Sequence, residues 1–326
     1  MPASLIAALL TAAAVQTTYL SLPQNPTQHV ALHCVAPGRA TDRAVLFVHG
    51  ASFPTMLAAG FEFAPGDSWL AFMARRGYLA CGLDFLGFGA SSRPPAMAGG
   101  EVGTPVTRAA EAAAQIALAV EELRTSRGIA EVHLVAHSWG TVPAAAYAAA
   151  HPHALASLTL FGPVVPVAQP EDAPVRHAWW GITAQERYRQ LRYADVLPPG
   201  MALLEPAVSA YWAKRFEASA PHVPGDPPAQ LLRIPAGPLA DIADAHAGRY
   251  PYAADDIRVP VFVVYGDHDT VVGDAGAAAF LARFSASPLR WRLRIDHGTH
   301  VMHLEQARRS LYESVDAFIR TAEARP

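Results

Sequence analysis

The sequence predicts an α/β fold: a doubly wound, mostly parallel sheet with helices on both faces, interrupted once by a helical insertion. Three observations carry this. Apolar runs of strand length alternate with helical patterns. The runs are continuous rather than alternating, as expected of strands buried on both faces. The alternation lapses after about residue 162 and resumes near residue 257.

Taken in order, Thr18 to Leu22 and His29 to Val35 read as two strands joined by a Pro/Asn turn. Ala44 to His49 is a short apolar strand. Asp67 to Arg76 reads as a helix with Trp69, Leu70, Phe72 and Met73 on its apolar side and Gly77 as its stop. Leu79 to Phe85 is the next strand, and Pro105 to Arg127 is a long Ala-rich helix closed by Gly128. Val132 to Ala136 is a strand and Trp139 to Ala150 a helix, with Pro143 in its first turn, where a missing N–H is tolerated. Leu158 to Phe161 is another strand. From there to Ile257 no convincing apolar strand is visible. Thr183-Ala184-Gln185-Glu186 has capping-box form and opens a helix through about Ala194. A second helix, rich in aromatics (Tyr211, Trp212, Phe216), follows Pro198 and Pro199. The Pro/Gly-rich stretch Pro221 to Pro238 reads as loop, and Asp241 to Gly248 as a short helix. The pattern resumes with the strand Val259 to Tyr265, a helix over Asp274 to Arg283, the strand Leu289 to Ile295 and a closing amphipathic helix, Val301 to Arg320. No internal repeat or low-complexity segment interrupts the series.

Composition narrows the function classes. The 326 residues are 52% hydrophobic, enough for a full-sized core. Net charge is −3, with no basic block or stripe, which argues against a nucleic-acid partner. The 28 prolines punctuate loops rather than signal disorder. Two cysteines, Cys34 and Cys81, make neither a disulfide framework nor a zinc cluster. The favoured reading is two buried thiols, with a cross-strand disulfide open if their strands are neighbours. Leu5 to Val15 is an apolar run of signal-peptide length, but no Lys or Arg precedes Arg39, and the run is too short to span a bilayer. It reads as an N-terminal helix or apron, giving a cytoplasmic location. Export, with this segment as a signal peptide, is the alternative.

The chemistry starts at Ser138, in Ala136-His137-Ser138-Trp139-Gly140, directly after an apolar strand and before a helix. Small residues two positions away on either side allow a tight elbow that presents the hydroxyl above the sheet. A serine hydroxyl needs a base, the base an orienting carboxylate, and the developing oxyanion a set of donors. In open α/β sheets such groups gather beyond the carboxyl ends of the strands. Gly266-Asp267-His268-Asp269 follows one later strand, and Asp296-His297-Gly298-Thr299-His300-Val301-Met302-His303 follows the next.

These pieces together resemble the α/β-hydrolase fold family, over nearly the whole chain outside the insertion. The resemblance rests on Val45-Leu46-Phe47-Val48-His49-Gly50, on Asp84-Phe85-Leu86-Gly87-Phe88-Gly89-Ala90-Ser91, on the elbow, on Gly266-Asp267-His268-Asp269, and on Gly298-Thr299-His300 followed by Glu305. Ala136 departs from the glycine more usual in the family. The resemblance implies an eight-stranded, mostly parallel sheet with a helical cap inserted after strand 6. Residues 1–162 and 257–326 would form the core, and residues 163–256 the cap. Carried over residue by residue, it implies Ser138 as nucleophile, Asp269 as acid with Asp267 as alternative, and His300 as base with His297 and His303 as rivals. It implies the amides of Ala51 (or Ser52) and Trp139 as oxyanion donors. The spacing of His297, His300 and His303 also admits a metal face, but no carboxylate or cysteine set completes one, and no metal or organic cofactor is implied. His49 reads as support for the oxyanion loop, His137 as packing beside the elbow, and His133 as a core histidine. Of the insertion's aromatics, which include Tyr188 and Tyr193, most would form its own core. Trp179, Trp180 and Trp212, with Phe53 and Met56, are the candidates for lining an apolar acyl or aryl pocket.

The expected function is a serine hydrolase acting through an acyl-enzyme on a carboxylic ester of a fairly apolar small molecule. The same residues could serve C–C bond, thioester, lactone or amide cleavage or acyl transfer. A serine at the elbow argues against haloalkane dehalogenase and epoxide hydrolase chemistry, for which the family uses aspartate. The rival from another class is a non-catalytic ligand-binding protein on the same scaffold. The sequence leaves the oligomeric state open.

Overall fold

The computed structural model describes residues 14–170, 174–219 and 231–325. Most of the N-terminal apolar run therefore lies outside the described residues, as does much of the stretch read as loop after Pro221. The strands are β1 (Gln16–Leu22), β2 (Asn25–Val35), β3 (Arg43–Val48), β4 (Leu79–Asp84), β5 (Glu131–His137), β6 (Ser157–Phe161), β7 (Trp179–Thr183), β8 (Leu231–Pro235), β9 (Val261–Gly266) and β10 (Arg290–Ile295). The helices are α1 (Trp69–Arg75), α2 (Ala109–Thr125), α3 (Thr141–Ala150), α4 (Ala184–Leu191), α5 (Pro206–Glu217), α6 (Gly237–His246), α7 (Asp274–Ala282) and α8 (Arg308–Glu323).

Eight strands form one sheet in the order β1-β2-β4-β3-β5-β6-β9-β10. The β1–β2 and β2–β4 pairs are antiparallel and all the others parallel. The expected α/β-hydrolase architecture is thus the observed one. Strand periodicity divides the buried side chains between two faces. Leu46, Leu134 and Leu160 join Ile116 and Leu123 of α2 and Phe280 of α7 on one face. Val45, Phe47, Val135 and Val264 join Trp69 and Phe72 of α1 and Leu311, Phe318 and Ile319 of α8 on the other. Each such fully buried side chain contributes about 1.5–3 kcal/mol.

Helix limits differ from the sequence reading where side chains intervene. Ser68 caps α1 by accepting from the Ala71 amide at 3.1 Å. α2 starts at Ala109 because Thr107 has a left-handed backbone (φ 62°) and donates its hydroxyl to Leu86 O at 2.8 Å. α8 starts at Arg308 rather than Val301, because Met302–Leu304 form a 3-10 turn and Glu305 turns back toward Thr299. The predicted capping box at Thr183 and Glu186 is present at the start of α4.

Two expectations are corrected. The segment between β6 and β9 is not strand-free, because β7 and β8 form a two-stranded antiparallel sheet. Gly181 leaves room for Leu231 there: a Cβ at 181 would lie 2.5 Å from the Leu231 side chain. A five-residue strand with a central glycine, and another ending in proline, carry too weak a local pattern to be seen without their pairing. The cysteines are not free thiols. Cys34 and Cys81 are directly opposed on β2 and β4 and form a disulfide, with Cα atoms 4.1 Å apart. The bridge closes a loop with a sequence separation of 47. The expected effect of its reduction, or of Cys81→Ala, is a loss of about 2–4 kcal/mol in denaturant unfolding. Alkylation of the unfolded, unreduced chain should find no free thiol.

Candidate active site

The site is built first by backbone geometry at the end of β5. Ser138 follows the strand directly and has φ 56°, the left-handed region that a non-glycine residue occupies only at a cost of about 1–3 kcal/mol. Surrounding contacts hold it there. A Cβ on Gly140 would lie 2.4 Å from His49 O, and one on Gly50 would lie 2.9 Å from the Ser138 Cβ. The 49–51 loop therefore closes directly onto the serine. His49 supports that loop: burial keeps the ring neutral, Nδ1–H donates to Gly50 O at 2.8 Å, and Nε2 accepts from the Phe85 amide at 3.1 Å.

The structure brings Ser138, His300 and Asp269 into one chain of hydrogen bonds. His300 Nε2 lies 2.8 Å from Ser138 Oγ, and His300 Nδ1 lies 3.0 Å from each Asp269 carboxylate oxygen. A ring nitrogen facing a carboxylate carries the proton. Nδ1–H therefore donates to Asp269, leaving Nε2 to accept from the serine hydroxyl. The Asp269 side chain is fully buried, and its Oδ1 also accepts from the Val271 amide at 2.9 Å. The alternatives sit elsewhere. Asp267 accepts from the Gly298 amide at 3.0 Å, His297 is exposed, and His303 is buried beneath the site. With His300 engaged by Ser138 and Asp269, the spaced histidines do not converge as a metal face. Among the described residues, ligand-type side chains gather instead at the far end of β5, where Glu131 and Glu323 flank His133. There His133 Nε2 lies 3.2 Å from Glu323, which also accepts from Arg43 at 2.9 Å, a local charge network rather than a vacant ligand set.

Sequence reasoning missed several supporting residues. Gly162, at the end of β6, has φ 54°, and a Cβ there would lie 2.9 Å from both Asp269 Oδ2 and His300 Nδ1. Its position after a strand was the only local signal. His137 donates Nε2–H to His300 O at 2.8 Å and stacks on Phe161 with ring centroids 4.6 Å apart. Burial, with His303 and His300 nearby, holds His137 neutral well below the usual histidine range, so the bond to the His300 loop persists across working pH. Burial likewise lowers His303 to about 3. Glu305 accepts from the Thr299 amide at 2.9 Å and from the Thr299 hydroxyl at 2.6 Å, tying down the residue before His300. Burial pushes its carboxyl up to about 7. Asp241 accepts from the Trp139 indole at 3.0 Å and from the Ala109 amide at 2.7 Å, linking α6 to the elbow.

The proposed pocket residues separate. Phe53 is buried edge-on against Trp212, 5.3 Å between centroids, and Trp212 donates to Leu57 O at 2.9 Å. Trp179 donates to Gly99 O at 3.2 Å and lies under Arg233. Trp179 and Trp212 are thus committed to packing. Met56 borders a cavity of about 370 Å³ with His33, Asp84 and Arg215. Trp180 is partly exposed, with its indole N–H unpartnered.

A family model described as the alpha/beta hydrolase fold matches residues 43–307, and the chain belongs to that family of enzymes. It is 25% identical over 273 residues to a haloalkane dehalogenase of Mycobacterium marinum, covering 79% of each chain. Among solved structures it resembles an esterase from Exiguobacterium antarcticum (TM-score 0.62, 16% identity, 94% of this chain and 100% of that one). It also resembles a thioesterase domain from the curacin biosynthetic pathway (TM-score 0.59, 15% identity, 94% of this chain and 99% of that one). The protein is a hydrolase of this superfamily.

Two outcomes follow from this geometry. Gly162→Ala should lower turnover by at least about tenfold by displacing His300 or Asp269, while circular dichroism stays native. Between the ordinary glutamate value of 4.5 and about 7, folded Glu305 keeps a proton that the unfolded chain has released, so folding stability falls as pH rises through that window. Glu305→Gln should flatten that fall in urea titrations at pH 5 and pH 8, because Gln can still pair with Thr299.

Proposed function

We propose that the protein is a serine hydrolase cleaving a carboxylic ester through an acyl-enzyme. The observation that carries this is the unbroken Ser138–His300–Asp269 relay, with the serine held in a left-handed elbow. Ser138 Oγ attacks the carbonyl carbon as His300 Nε2 takes its proton. Asp269 holds the Nδ1–H tautomer and stabilises the imidazolium. The Ala51 and Trp139 amides receive the oxyanion, a role supported by the closure of the 49–51 loop on Ser138. His300 then protonates the leaving alcohol, and water, activated by the same base, releases the acid. Residues 163–256 act as a cap over this centre.

The haloalkane dehalogenase relative does not redirect this reading, because the elbow here carries a hydroxyl where halide displacement needs a carboxylate. The esterase and thioesterase likenesses concern the fold. They agree with acyl transfer to Ser138, thioesters being the second candidate substrates. The Cys34–Cys81 bridge supports a working location in an oxidising compartment, and so the exported alternative.

A fluorophosphonate probe should label Ser138, and Ser138→Ala should abolish both labelling and ester turnover. Asp269→Asn should lower kcat by about four orders of magnitude with little change in fold. Wild-type turnover by Ser138→Ala would refute the mechanism. Folded protein that neither labels nor turns over any activated ester or thioester would favour a ligand-binding role.

A further inference from the structure

We infer that the substrate carries a carboxylate, and that the segment between β6 and β9 receives it with Arg187, Trp180 and Tyr193. This deepens the ester-hydrolase reading and rests on it: the substrate is an ester with an acidic group at a distance from the scissile bond, on an otherwise apolar body.

The first observation is an unsatisfied cation. Arg187, on α4, has its guanidinium carbon 5.5 Å from the centre of the Trp180 ring. Its Nε is buried without a hydrogen-bond partner, and among the described residues no carboxylate lies within ion-pair distance of it. Several other arginines find counter-charges, though Arg308 Nε is also buried without a partner. Arg43, Arg76, Arg108, Arg309 and Arg320 pair with carboxylates. Arg93, which has no carboxylate, donates to the carbonyls of Ser91, Gly89 and Ser219. Arg187 as a whole is partly exposed, but a buried donor left without an acceptor costs about 1–3 kcal/mol, which an acceptor on a ligand would relieve. Burial lowers the Arg187 guanidinium to about 10, still fully charged at neutral pH.

The second observation is independent of the first. The Trp180 indole N–H beside Arg187 is also buried and unpartnered. The indoles of Trp139, Trp179 and Trp212 donate to Asp241, Gly99 O and Leu57 O, whereas that of Trp69, like Trp180, is buried without a partner; only the Trp180 indole lies beside a cation that also lacks an acceptor. Two adjacent donor groups therefore lack an acceptor, which is the complement of a carboxylate with its two oxygens.

The third observation sets the location. Tyr193 follows the Arg192 C-cap of α4 in the left-handed conformation (φ 48°), a position usually given to glycine. Its phenol lies in the fields of Asp269 and Glu305 and also of Arg187. The loop that follows is tied to the His300 side of the site: Gln306 N–H donates to Leu203 O at 3.1 Å, and Arg308 bonds Glu205 at 3.2 Å. The cation and the candidate acid thus both lie within electrostatic reach of one tyrosine. A carboxylate on Arg187 and Trp180, with the Tyr193 hydroxyl as a further donor, would place the rest of its molecule toward Ser138.

The test compares the 4-nitrophenyl monoester of adipic acid, whose far carboxylate is free, with the same ester capped by methylation. The readout is the ratio of their kcat/KM values. The wild type should favour the free acid by at least about tenfold, the range of one charge-assisted hydrogen-bond pair. Arg187→Met, which keeps packing on Trp180, should bring the ratio close to one. Arg187→Lys should keep part of it and carries the test if Arg187→Met does not fold. An equal ratio in wild type and variants, or a wild-type preference for the capped ester, overturns the proposal. If neither ester is turned over, the reading of Ser138 fails, and calorimetry with adipate decides the subsite alone. Binding to Ser138→Ala that is lost when Arg187→Met is added upholds it, and no binding to Ser138→Ala overturns it.

Discussion

The site depends on the close approach of three backbone segments around one strained serine. Ser138 can hold its left-handed conformation only because Gly140 lets the helix start press on His49 O, Gly50 lets the loop after β3 reach the serine, and Gly162 lets the end of β6 pass beneath the His300–Asp269 pair. These are contacts between the ends of neighbouring parallel strands, β3, β5 and β6. The sheet supplies the rigidity that keeps them. A side chain at any of the three glycines would displace a reacting group rather than merely crowd the core.

Around this backbone frame the protein keeps most of its titratable groups uncharged. His49, His137 and His303 are buried and neutral, and each either orients a loop or fills the floor of the site. Glu305 holds Thr299 and keeps its proton more readily than an ordinary glutamate. Buried charge close to His300 is thereby concentrated in Asp269. A single nearby carboxylate stabilises the imidazolium most effectively in a low-dielectric site, where a competing carboxylate would share the effect.

The inserted segment obeys a different logic. Its own stability comes from packing: Trp212 against Phe53 and Phe216, and Trp179 beneath Arg233. At Trp180, Arg187 and Tyr193 two donors are unpaired and the backbone is strained; the Tyr252 hydroxyl is a separate unpaired group of the segment. A cation and an indole donor left side by side without an acceptor are where a ligand can supply what the fold withholds.

The sequence by itself determined the eight strands, the interruption after β6, and the order serine, acid, histidine at strand ends. Those features are local: continuous apolar runs, punctuation by glycine and proline, and polar residues directly beyond a strand are visible in a few neighbouring positions. Tertiary structure alone decided the rest. Cys34 and Cys81 pair because a crossover puts β2 beside β4. β7 and β8 exist because Gly181 admits Leu231 from a strand far along the chain. Trp180 and Trp212 looked alike as aromatics of the insertion, but one indole found a carbonyl and the other did not. Gly162 and Arg187 gained their meaning from groups more than a hundred residues away in one case and from the absence of a partner in the other. Burial, pairing and the lack of a counter-charge are properties of what surrounds a residue in space, and no local pattern in the chain encodes them.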